Sequence, residues 1–84
     1  KVAAKWYRLA ADRGDAQAQY NLGLAFARGE GGVPNNVAAH MWFNLAALRG
    51  NPDGARYRQE VAIEMTPVEI AAALRAAREW IRSH

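Results

Sequence analysis

With no cysteine among its 84 residues, this chain could do chemistry only through histidines, carboxylates and hydroxyls. A zinc site takes about four nitrogen, sulfur or oxygen ligands, and His40 and His84 have no second histidine at ligand spacing. Glu60 and Glu64 stand one helical turn apart, a spacing at which paired carboxylates can divide acid and base work. A solvated helix flank, with Arg56 placed to pair with Glu60, accounts for them without chemistry. Thr66 and Ser83 are the hydroxyl nucleophile candidates; Thr66 reads as a helix cap and Ser83 falls in a chain end. Trp6, Trp42 and Trp80 are the residues of a base- or sugar-stacking platform, but their helical spacing assigns all three to the core between helices. No nucleophile, base and oxyanion site assemble. The sequence therefore predicts no enzyme, no catalytic residue, no metal and no cofactor.

The elements that carry these residues are set by an internal repeat. Ala3-x-x-Trp6-Tyr7-x-Leu9-Ala10-Ala11-x-Arg13-Gly14-Asp15 aligns with Ala39-x-x-Trp42-Phe43-x-Leu45-Ala46-Ala47-x-Arg49-Gly50-Asn51. The offset is constant at 36 residues, from Trp6 to Trp42 and from Gly14 to Gly50. A period in the thirties marks stacked helical hairpins, in which neighbouring units share a core and leave a long surface for binding.

Apolar residues at Ala3, Trp6, Tyr7, Ala10 and Ala11 give a first helix over Val2 to Arg13. Gly14 closes it and Asp15 caps a second helix, Ala16 to Arg28, with Ala18, Leu22, Ala25 and Phe26 on one face. Gly23 sits inside that helix at a cost of up to about 1 kcal/mol against alanine, which calls for a neighbour packed too close for a side chain. Residues 29 to 36, rich in glycine, proline and asparagine, read as a turn between units; they lack the lysine and hydroxyl of a phosphate loop. A third helix, Val37 to Arg49, is capped by Asn35 or Asn36, and a fourth runs from Asp53 to Glu64 behind Pro52, with Tyr57, Val61 and Met65 as its stripe. Thr66-Pro67-Val68-Glu69 has the form of a capping box. It opens a last helix to Arg82 whose stripe is read as Ile70, Leu74, Ala77 and Ile81, with Arg75, Arg78 and Arg82 opposite.

Composition narrows the function classes. Eleven Lys and Arg against eight Asp and Glu give a net charge of +3, and the cations are dispersed instead of forming a nucleic-acid stripe. Binding to nucleic acid or an anionic surface through Arg8, Arg49, Arg56, Arg75, Arg78 and Arg82 is the alternative function. No disulfide framework is available, and no apolar run approaches the roughly 20 residues needed to cross a bilayer. Compartment is left open. Lys1 aligns with Val37, inside a helix, so the chain reads as cut from a longer array.

This pattern resembles the Sel-one-like repeat family, relatives of the tetratricopeptide repeats. The resemblance rests on Ala3-x-x-Trp6-Tyr7-x-x-Ala10-Ala11-x-x-Gly14-Asp15-Ala16-x-Ala18-Gln19-Tyr20-Asn21-Leu22-Gly23, then Gly29-x-Gly31, then Met41-Trp42-Phe43-Asn44-Leu45-Ala46-Ala47. Met65-Thr66-Pro67 and the helix ending Arg78-Glu79-Trp80 are similar to the closing segment of bacterial members. It implies an all-α, right-handed superhelix of helical hairpins: repeat one over 1–35, repeat two over 36–65, and a C-terminal capping helix over 66–83. It also implies a scaffold or adaptor that binds a protein or peptide partner.

The candidate partner site follows from helical angles. Lys5, Arg8 and Asp12 lie opposite the packed face of the first helix, and their counterparts are Met41, Asn44 and Leu48. Either the capping helix covers Met41 and Leu48 or both line a binding groove; cover is the expectation, because an exposed apolar stripe without a partner is a liability. The groove that remains comprises Lys5, Arg8, Asp12, His40 and Asn44, and would take a peptide or helix along the inner helices. Self-association through the first helix is a further expectation.

Overall fold

The computed structural model describes residues 2–30 and 32–84, with side chains from Trp6 onward. Five helices follow one another: α1 (Val2–Asp12), α2 (Ala16–Arg28), α3 (Asn36–Leu48), α4 (Pro52–Ile63) and α5 (Pro67–Ser83). The architecture is all-α, two helical hairpins and a closing helix. Ala3, Lys5 and Gly31, which entered the sequence reading, lie outside the described side chains.

The 36-residue period is reproduced bond by bond at the hairpin turns. Asp15 N–H donates to the Ala10 carbonyl at 3.1 Å, and Asn51 N–H to the Ala46 carbonyl at 3.0 Å. Gly14 and Gly50 both adopt left-handed φ, +92° and +94°. That conformation strains any residue with a Cβ, which is why glycine ends both first helices. Asp15 and Asn51 then accept from Ala18 N–H at 3.0 Å and Gly54 N–H at 2.9 Å, so each unit caps its second helix with the same atom geometry. Pro52 occupies the first turn of α4 as expected.

Between units, Gly29 closes α2 in the left-handed region and the loop folds back, Asn35 N–H donating to the Phe26 carbonyl at 2.9 Å. Asn35, not Asn36, caps α3. At α5 the capping box is complete: Glu69 N–H donates to Thr66 Oγ1 at 3.1 Å and Thr66 N–H to Glu69 Oε1 at 2.8 Å.

Helix α3 is the hub, packing against α2, α4 and α5. Its Phe43 is fully buried, with ring centroids of Tyr20 and Tyr57 at 6.0 and 5.8 Å. The close approach that Gly23 demanded is here. A Cβ on Gly23 would lie 2.5 Å from two carbons of the Phe43 ring. Helix α5 lies along α3 and reaches α1 instead of prolonging the stack, so the extents of 30 × 27 × 23 Å are nearly equal.

Several side chains depart from the expected arrangement. The buried line of α5 is Ala73, Ala77 and Trp80, while Leu74 and Ile81 are exposed. Trp80, the largest apolar residue of the helix, meets Trp42 edge to face at 6.0 Å and turns its own flank inward. The two alanines below it give α3 room. Arg56 pairs with Asp53 at 3.1 Å and not with Glu60, since it leans over the Tyr57 ring at 5.2 Å. Trp6, assigned to the core by its register with Trp42, is 67% exposed against 1% for its counterpart. The period holds in the backbone but not in burial: α2 and α5 both pack on α3, whereas α1 packs on α2.

Candidate functional site

The polar residues of α1 converge on the tryptophan pair of α3 and α5. Arg8 stands over the Trp42 ring, its guanidinium carbon 5.4 Å from the centroid, and its Nε lies 3.4 Å from Asp12 Oδ2. The other carboxylate oxygen of Asp12 accepts from Trp80 Nε1 at 3.1 Å, joining residues 68 apart in sequence. His84 stacks on Trp80 at 4.3 Å, with Nε2 3.6 Å from the same Asp12 oxygen and Nδ1 2.9 Å from the Trp80 carbonyl. A carbonyl can only accept, so Nδ1 carries the proton in this geometry. Arg8 and Asp12 thus latch α5 to α1 while keeping exposed edges.

His40 and Asn44 occupy a different place. Both are buried on α3, where Arg58 of α4 donates to Asn44 Oδ1. Burial, then the charge of Arg58, pushes the His40 pKa below its ordinary value, which keeps the imidazole neutral at pH 7. Its Nδ1 is buried without a partner. Lys5 lies in α1 with its side chain outside the described residues. The structure therefore brings Arg8 and Asp12 together and places His40 and Asn44 behind them, in the interior.

Other candidates are absorbed by the fold. Thr66 Oγ1 is taken by the cap, and Ser83 Oγ donates to the Glu79 carbonyl at 3.0 Å. Among the described residues no group of three or more His, Asp or Glu could hold a metal, and no helix is long and apolar enough to cross a membrane. Of the dispersed cations, Arg8 and Arg56 are matched by Asp12 and Asp53, and Arg75, Arg78 and Arg82 line the exposed side of α5. Met41 packs against the core cluster, but Leu48 is 63% exposed. Leu48 stays open because Trp80 and Ile81 border a cleft beside it without closing it.

The outward flank of α1 is apolar. Leu9 is 55% exposed and its repeat counterpart Leu45 3%, the same contrast as Trp6 with Trp42. Tyr7 is also exposed where Phe43 is sealed.

The Sel1 repeat family model matches residues 1–15 and 16–51. The chain belongs to the Sel1 repeat family. Sel1 repeats are generally protein–protein interaction modules. The second match begins at Ala16, the first residue of α2, and ends at Asn51, just past α3. Comparisons with curated proteins and with solved structures gave no match.

Two polar residues with structural roles escaped the sequence reading. Gln19 is fully buried and its Nε2 donates at 3.1 Å to the Ala11 carbonyl in the last turn of α1, which also accepts from Gly14 N–H at 2.9 Å. Arg58 anchors Asn44 from α4. Gln19 sits between Ala18 and Tyr20 in the matched run, a polar residue beside a buried position, and that was its available signal.

Proposed function

We propose that this chain is a docking module that holds a peptide segment or helix of a partner protein along its inner helices, α1 and α3. Trp6 and Leu9 supply the apolar floor. Lys5, Arg8 and Asp12 supply the polar contacts that select among partners, with His40 and Asn44 setting the position of α3 behind them. The observation that carries this reading is the contrast at equivalent positions: 67% exposure at Trp6 against 1% at Trp42. A tryptophan buries 150–250 Å2 when covered, so a face that keeps one uncovered gains most from a partner.

Affinity capture on the immobilised protein tests this. Wild type is compared with a Trp6→Ala, Leu9→Ala variant and with Arg8→Ala, each checked by circular dichroism. The reading expects bound proteins to be lost from the first variant and reduced in the second. Retention of the same proteins by both variants contradicts it. A second copy of the chain can occupy the same face, and sedimentation distinguishes that case: association of wild type that is absent in Trp6→Ala assigns the face to self-association, and a strict monomer removes it.

A further inference from the structure

We infer that a second docking surface lies between α2 and α4, and that its occupant is an extended basic peptide segment in which arginine or lysine alternates with apolar residues. The groove has a volume of about 270 Å3. Leu24 of α2, Phe43 of α3, and Tyr57 and Val61 of α4 make its floor and walls. Glu60 and Glu64 stand along one edge.

The choice of occupant comes from charge. The sequence offers Arg56 as the natural partner of Glu60, but Arg56 is engaged with Asp53 at 3.1 Å. Among the described residues neither Glu60 nor Glu64 makes an ion pair. Arg28, at the other edge, lies 3.8 Å from Glu30 and is compensated. The groove thus carries two uncompensated carboxylates on a protein whose net charge is +3. An arginine or lysine lays its aliphatic stem on apolar surface and keeps its head at a charged rim, which is what Leu24, Val61 and the two glutamates offer together. Apolar residues alternating with it would meet the half-buried Tyr57, with Phe43 sealed beneath. The overall positive charge repels a basic peptide, so saturable binding requires a local site. This surface is independent of the α1 face, and either can fail without the other.

The test uses a terminally blocked peptide of alternating arginine and leucine, followed by titration calorimetry and by amide chemical shifts of the labelled protein. Saturable binding at low salt is expected, with shifts confined to the groove, around Leu24, Tyr57 and Val61. A Glu60→Gln, Glu64→Gln variant should bind about tenfold more weakly, two partly exposed ion pairs being lost. Both positions are exposed, so the fold is unaffected. A peptide with glutamate in place of arginine should not bind. Absence of saturable binding, shifts centred on α1, or equal affinity in the variant would overturn the assignment. So would salt-sensitive dimers of the protein alone that the Glu60→Gln, Glu64→Gln variant loses, since these would give the groove to the arginine ridge of α5 from a second copy.

Discussion

Replacing Gly23 by alanine sets two calculable effects against each other. The helix gains up to about 1 kcal/mol in intrinsic propensity. Against that, the new methyl would sit 2.5 Å from Phe43 Cδ1 and Cε1 and 3.0 Å from Cγ, where carbon contacts are comfortable at about 3.5–4.0 Å. The ring must retreat by about 1 Å, and it has nowhere to go: Phe43 is fully buried, with Tyr20 and Tyr57 against it. Overpacking costs about 1–3 kcal/mol; with the ring boxed in, the cost falls at about 2–3 kcal/mol, so less the helix gain Gly23→Ala should destabilise by about 1–2 kcal/mol net. For a small domain with a urea m-value near 1 kcal/mol/M, the midpoint should fall by about 1 M or more at unchanged slope. Repeating the substitution in a Phe43→Leu background checks the cause, because the smaller side chain leaves room and the propensity gain should surface. A midpoint that stays or rises in Gly23→Ala alone would refute the close-packing argument.

Three further outcomes follow from named contacts. Thr66→Ala removes the side chain that accepts from Glu69 N–H and should lower stability by about 1 kcal/mol in denaturant titration. Asp12→Asn weakens the acceptor of the Trp80 indole; unfolding should become easier by about 1 kcal/mol, and amide exchange should quicken in the last turns of α5. His40 has a pKa below its ordinary 6.5 because of burial and then Arg58. The unfolded chain therefore binds the proton first, so stability is full above about pH 6.5 and declines as pH falls toward the depressed value. Melting temperatures between about pH 7 and 5 should show this decline in wild type and not in His40→Gln; an identical decline in both would assign it elsewhere.

The backbone was legible in the sequence because it is governed by local chemistry. Gly14, Asp15, Gly50, Asn51 and the Thr66–Glu69 box each act within four residues, and α2 begins and ends where its cap and closing glycine place it. Gly23 was legible too, since a costly residue in a helix implies a close neighbour. What escaped depends on three-dimensional context. Trp6 and Trp42 occupy identical helical positions, and only the packing of α5 and α2 on α3 separates an exposed ring from a sealed one. Of the expected α5 stripe Ile70, Leu74, Ala77 and Ile81, Ala77 is buried, but Ala73 and Trp80 take the inward places of Leu74 and Ile81 because the meeting of Trp80 with Trp42 decided the rotation. Of the candidate site, Arg8 and Asp12 emerged as neighbours on the latch, while Asn44 is held inward by Arg58, fourteen residues away, and His40 is buried on the same helix.

The central claim is that the uncovered side of α1 is where a partner protein docks. A photoreactive phenylalanine analogue in place of Leu9, compared with the same group in place of Arg75 on the exposed side of α5, tests it in the protein's own host cells. The account predicts a discrete protein adduct from position 9 and none from position 75. Adducts that are absent at position 9, or equal at both positions, would contradict it.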